Sequence, residues 1–216
     1  MPGSDRRSFL KGAACVAAGA GFALLPEASS AAQAESDSAN IIGPKPGFSP
    51  AVGTLASMMA FMRSQVVGSV TPLKVAELDF LLDGKANSIG ALVMHLAATE
   101  VYYQLHTFEG VAWNAWPAAV EKKWDAASSL GKAARQEIKG KEVAHYLDAL
   151  KETREKTLAE LKKRDDKWLF AVDEKWPWGP TNNYCKWFHV VEHEANHNGQ
   201  IKFLKSRLPG AKEEGG

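Results

Sequence analysis

The sequence predicts an all-α fold, a four-helix bundle with long connections over residues 50–210. Three observations carry this. Apolar residues recur at helical spacing in four long stretches, and no stretch shows convincing strand alternation. Proline and glycine fall between those stretches. The composition, 45% hydrophobic and 24% charged in 216 residues, suits one globular domain with a single core.

The first helix is expected over residues 50–67, with Leu55, Met58, Met59 and Met62 at helix spacing and Gly68 and Thr71-Pro72 ending it. Residues 75–82 form a short apolar piece of one or two turns. Asn87-Ser88 offers an N-cap for a second helix running to about residue 108. Residues 113–140 read as a connection with some helix of its own, broken by Pro117, Gly131 and Gly140. The third long helix spans residues 142–163. Val143, Tyr146, Leu147, Leu150, Leu158 and Leu161 mark its buried stripe, and charge covers the remainder. Residues 168–180 are irregular and rich in Trp and Pro. The fourth helix runs from Thr181, as a cap, to Leu208, where Pro209-Gly210 stops it.

The chain's beginning reads as an address. Asp5-Arg6-Arg7-Ser8-Phe9-Leu10-Lys11 is close to the twin-arginine export motif, a Gly- and Ala-rich apolar stretch follows, and Ala32-Gln33-Ala34 suits signal peptidase. Residues 1–34 are therefore expected to be a cleaved signal, residues 35–49 a flexible linker and residues 211–216 a disordered tail. The expected location is periplasmic or otherwise extracytoplasmic. The apolar run is about half the ~20 residues that span a bilayer, so no stable membrane insertion is expected after cleavage. Removing this segment leaves 23 basic and 23 acidic residues. With no basic surplus, a nucleic-acid partner is not expected. Cys15 would leave with the signal, and Cys185 alone cannot close an internal disulfide.

His189, His193 and His197 recur every four residues in the fourth helix. Each step climbs ~6 Å, so His189 and His197 lie ~12 Å apart along the axis and cannot share one ion. An adjacent pair can. His193 with His197 is the better choice, because Gly199 would let another helix approach and Gln200 can orient a ligand or hold a bound water. His189 then becomes a pocket-wall residue or a group behind the ligands. His95 shares a mostly apolar stripe with Leu92, Thr99 and Tyr102 and is expected to point inward as the third ligand. Three inward imidazoles without partners would cost ~1–3 kcal/mol each, and one metal ion satisfies all three. His106 is expected at the surface or a pocket rim, and His145 in no site. Glu192 and Glu194 are expected on a solvated face. Trp176, Trp178 and Tyr184 are expected to pack in the core or to line a pocket.

Asn87-Ser88-Ile89-Gly90-Ala91-Leu92-Val93-Met94-His95-Leu96-Ala97 and His193-Glu194-Ala195-Asn196-His197-Asn198-Gly199-Gln200-Ile201 resemble the two motif stretches of the DinB-like (YfiT-like) superfamily of metal-binding four-helix bundles. The resemblance covers about residues 50–210. It implies an up-up-down-down bundle, often a homodimer, with His95, His193 and His197 on a divalent ion, zinc or nickel first, then iron or copper. It also implies a small-molecule substrate, with low-molecular-weight thiols as co-substrates in the better-understood members. Asn198 stands where the family often has arginine.

The expected function is a metal-dependent transferase acting by thiol S-transfer, or a hydrolase, with Gln200 and His189 as the catalytic candidates that position the nucleophile. Export favours glutathione or hydrolysis over bacillithiol and mycothiol, which are chiefly cytoplasmic. The alternatives are a non-catalytic periplasmic module that binds metal or a small ligand, and a metal-free helical scaffold.

Overall fold

The computed structural model describes residues 40–212. The expected signal at residues 1–34, the lead-in to residue 39 and the tail from residue 213 lie outside the described residues. Four long helices dominate: α1 (Pro50–Val70), α3 (Ile89–Glu109), α6 (Val143–Leu161) and α8 (Asn183–Lys205). Between them lie the shorter α2 (Val75–Leu78), α4 (Ala118–Ser129), α5 (Gly131–Glu137) and α7 (Asp166–Phe170). Two short strands, β1 (Val172–Asp173) and β2 (Thr181–Asn182), pair antiparallel, Val172 opposite Asn182 and Asp173 opposite Thr181. The all-α class expected from the sequence is the class observed. Helix α8 packs on α1 and α3, and α6 packs on the same two, so the four long helices close a cycle. Among the described residues, no helix is long and apolar enough to cross a membrane.

The helix ends follow local chemistry. Ser88 caps α3 by accepting from the Ala91 N–H at 3.2 Å. Asn87, also expected at that cap, instead accepts from the Gly131 N–H at 2.8 Å and ties α5 to the start of α3. Gly110, at φ 72°, ends α3 in the left-handed conformation that glycine adopts at least cost. Asn182, rather than Thr181, caps α8 through the Cys185 N–H at 2.8 Å. Helix α1 runs through Gly68, one glycine being insufficient to stop a helix whose flanks are buried. Its first turn is capped from far away, with Asp166 accepting from the Ala51 and Val52 N–H groups at 3.0 and 3.2 Å.

The core has two apolar parts. One gathers Val66, Val70, Ile89, Leu92, Leu96, Tyr146, Leu150, Ile201 and Leu204. The other gathers Val52, Leu55, Met59, Tyr103, Leu161, Leu169, Trp187 and Val190. In both, burial of apolar area supplies the driving force. Gly90 of α3 leaves room for the Tyr146 side chain of α6 in the first part, where an added Cβ would meet the Tyr146 hydroxyl at 2.7 Å.

Between the two parts lies a layer of charge, one residue from each long helix. Arg63 of α1 reaches Glu100 of α3 at 2.7 Å and Glu194 of α8 at 2.6 Å. Arg154 of α6 reaches the same two carboxylates at 2.8 Å each. Thr157 donates to Glu100 at 2.6 Å, and Arg154 also donates to the Met59 carbonyl at 2.7 Å. The expectation that Glu194 sits on a solvated face is wrong, for it is 1% exposed. It lies three residues past the buried Val191 and seven before the buried Ile201, on the inner stripe. Arg154 likewise interrupts the stripe of α6 four residues past Leu150.

Candidate metal centre

His95 comes from the middle of α3, and His193 and His197 come from successive turns of α8. The packing of α3 on α8 brings them together. One ring nitrogen from each lies within 4.8 Å of the other two. The His95 and His193 Nε2 atoms are 2.9 Å apart. Ring centroids are 4.9 Å apart for His95 with either partner and 4.5 Å apart for His193 with His197. His197 is buried, and the other two are partly so.

The outward nitrogens of two of these rings are occupied. His95 Nδ1 donates to the Ala127 carbonyl at 2.9 Å. That carbonyl lies in the last turn of α4, where carbonyls lack partners within the helix. His197 Nδ1 donates to Gln200 Oε1 at 3.0 Å, and Gln200 Nε2 donates on to Asn196 at 3.1 Å. Both rings are thereby set in the tautomer that turns an Nε2 lone pair inward. The Ala127 contact has no signal in the sequence, since any residue supplies a carbonyl.

The electrostatics favour neutral rings. Burial pushes His193 down to about 3, helped by the three imidazoles around it. Burial also lowers His95, against the Ala127 hydrogen bond, and lowers His197, against the Gln200 bond. Neutral imidazole is the form that donates a lone pair. A soft-to-borderline N₃ donor set with oriented lone pairs fits a divalent transition ion.

These shifts fix a pH response. In the unfolded chain His193 takes up a proton below about 6.5, its ordinary value, and in the fold it resists to about 3. The unfolded state therefore holds more protons across that window, so stability rises with pH there and is lost as pH falls through it. Chelator-treated protein should lose several degrees of Tm between pH 6.5 and 4 and hold steady above 6.5, with the acid limb flatter in His193→Ala. Thermal melts monitored by circular dichroism at stepped pH measure this.

The other sequence candidates sit around this core. His189 is outside the three-nitrogen group. Its ring is 5.3 Å from that of His193, and its Nδ1 lies 3.2 Å from the Glu192 carboxylate. Gln200 stands behind His197. Gly199, expected to admit a close helix, has nothing within 4 Å and faces outward, because α1 and α3 already occupy the inner side of α8. Asn198 is buried and accepts from the Ser69 hydroxyl at 2.8 Å. His145 is exposed, and so is Cys185.

His106 is not a surface or rim residue. Its Nδ1 donates to the Val111 carbonyl at 2.9 Å, and its Nε2 accepts from Lys186 at 3.0 Å. Lys186, 2% exposed, also pairs with Asp173 of β1 at 2.7 Å. Sequence spacing held a clue, since Lys186 precedes His193 by seven residues and so shares its face. Trp176 is buried, Tyr184 stacks on Phe170, and Trp178 stands 61% exposed against His189 at 5.2 Å.

Gln200→Leu should leave the fold intact and weaken metal affinity about 10–100-fold, since it frees the His197 ring to turn. Competition titration against a chromophoric chelator measures this.

Comparisons with known proteins agree with the architecture. A family model described as Mycothiol-S-transferase matches residues 54–210. A solved structure, the conserved protein of locus from Enterococcus faecalis, is similar at 15% identity with a TM-score of 0.54, covering 70% of this chain and 93% of that one. At that identity the likeness shows the fold alone. No curated protein gives a significant match.

Proposed function

We infer the function from one premise: the chain belongs to the mycothiol-S-transferase family, within the DinB-like (YfiT-like) superfamily. That family suggests a metal-dependent thiol S-transferase-like activity with a small thiol as substrate. The finer reading is that this chain joins a low-molecular-weight thiol to an electrophilic small molecule. The convergence of three ring nitrogens from two helices carries it.

His95, His193 and His197 would hold the ion, zinc or nickel first, with iron or copper as further options. A divalent ion there supplies Lewis acidity that favours thiolate over thiol at neutral pH. The chain's own residues do the rest. Ala127 and Gln200 keep two ligand rings aimed. His189 stands beside His193 with Glu192 at its Nδ1, placed to take the thiol proton at Nε2 while the carboxylate steadies the imidazolium. The thiol sulfur forms a bond to the electrophilic carbon, the leaving group departs with the bonding pair, and the proton on His189 passes to solvent or to that group. Hydrolysis would use the same proton acceptor with water in place of the thiol.

Full chain, metal-loaded and freed of affinity-tag histidines, is to be assayed with mycothiol, bacillithiol, glutathione and cysteine against iodoacetamide. Thiol consumption that depends on metal and falls at least tenfold in His189→Ala supports the reading. Metal bound without turnover of any thiol or ester would favour a binding module instead. Export through residues 1–34 belongs to the same proposal, and fractionation of producing cells tests it. A homodimer also belongs to it, and sedimentation measures that.

A further inference from the structure

Trp178 is a large indole held in water at 61% exposure, beside the metal centre rather than away from it. Its ring meets His189 edge-on, at 5.2 Å and 78°, and His189 in turn touches His193. An exposed tryptophan on a loose loop would mean little. This one is mounted on a fixed support. Trp176 packs against it at 5.4 Å and is itself 3% exposed, held by Trp113 at 4.6 Å and by the Lys186 ammonium at 4.5 Å over its face. Lys186 also binds Asp173, which anchors β1, and His106, which anchors α3. The turn closes through the Gly179 N–H on the Trp176 carbonyl at 2.9 Å, and Gly179 sits at φ 99°, where side-chain-bearing residues are strained. Both ring contacts of Trp178 among the described residues, to Trp176 at 85° and to His189 at 78°, are edge contacts rather than stacks, and the indole remains 61% exposed.

We propose that the face of Trp178, with the His189 ring standing as a wall at 78° to it, forms a stacking platform beside the metal centre that takes the planar, conjugated part of an aromatic electrophile. This rests on the S-transfer reading for the identity of the site and adds the class of its second substrate. A π-face kept rigid and wet binds flat, electron-poor rings at little ordering cost. It offers a saturated or very small electrophile much less. The Lys186–Asp173–His106 cluster, in which Lys186 is buried, acts as the support, setting the position of Trp176 and through it Trp178.

The test uses the metal-loaded full chain and an unreactive probe. Equilibrium dialysis with 2,4-dinitroaniline should give saturable binding. Trp178→Ala should raise its Kd about tenfold, and Trp178→Phe less than threefold, with metal content and melting unchanged. Cyclohexanol binding should be the same in all three proteins. Absence of saturable binding to the native chain, an unaltered Kd in Trp178→Ala, or equal loss in the Phe and Ala variants would overturn the platform. Thiol transfer to iodoacetamide, which needs no platform, reports on the S-transfer reading by itself, so either idea can fail while the other stands.

Discussion

His193→Ala is expected to strip the protein of its ion while leaving the helices standing. His193 is the middle member of the three, with its Nε2 at 2.9 Å from that of His95 and its ring 4.5 Å from that of His197. Without it, one nitrogen remains on each helix. Histidine and thiolate sites hold zinc with apparent free energies of about 10–16 kcal/mol shared among four ligands, so one ligand is worth about 3 kcal/mol, roughly a hundredfold in affinity. Elemental analysis after dialysis against a weak chelator should find near-stoichiometric metal in the native chain and less than a tenth of that in the variant. His189→Ala should keep its metal, because His189 lies outside the group of three converging nitrogens. Stability without metal should scarcely fall in His193→Ala, since the lost ring is a half-buried base that resists protonation. Metal retained by His193→Ala would mean that the ion sits elsewhere and that the converging rings are a packing feature.

The sequence made the converging histidines legible because shared helix faces leave a periodic trace. Two histidines four apart must share a helix face, and one on an apolar stripe must turn inward. The helix order was legible for the same reason, each long helix showing its apolar period between Pro and Gly breaks. Groups that owe their place to tertiary packing were not legible. Ala127 orients His95 by a backbone carbonyl, which side-chain identity does not mark. The cap of α1 comes from Asp166, far along the chain, although Ser49 stands in the local position. Glu194 adjoins His193 and so points away from it, but because His193 itself sits at the edge of the core, that direction leads inward and not to solvent. Its spacing from Val191 and Ile201 places it inside, and the Arg63 and Arg154 guanidiniums from two other helices make that burial tolerable, with Glu100 balancing the second positive charge. The β-hairpin is two residues deep on each side, too short for alternation to show.

The charge layer leads to the second large effect. Arg154→Met should destabilise the fold by about 3–5 kcal/mol, a fall in Tm of about 6–20 °C by thermal melting. Burial by itself would raise the Glu100 carboxyl, but Arg154 and Arg63 hold it down at about 2. Removing one guanidinium leaves two carboxylates facing a single cation where water has little access. The Met59 carbonyl and the Thr157 hydroxyl cannot replace the charge. The loss is one of pairing and not of volume, so taking Glu100 away as well should restore part of it. Arg154→Met with Glu100→Leu leaves Arg63 and Glu194 paired at 2.6 Å and should melt above Arg154→Met alone. The layer also fixes the register of α8 against α3, and Glu194 adjoins His193 in sequence. Arg154→Met should therefore loosen the metal as well, though it touches no ligand. A single variant that costs less than 1 kcal/mol would show water already reaching the layer, and the four charges would then be a surface network that folding has merely covered.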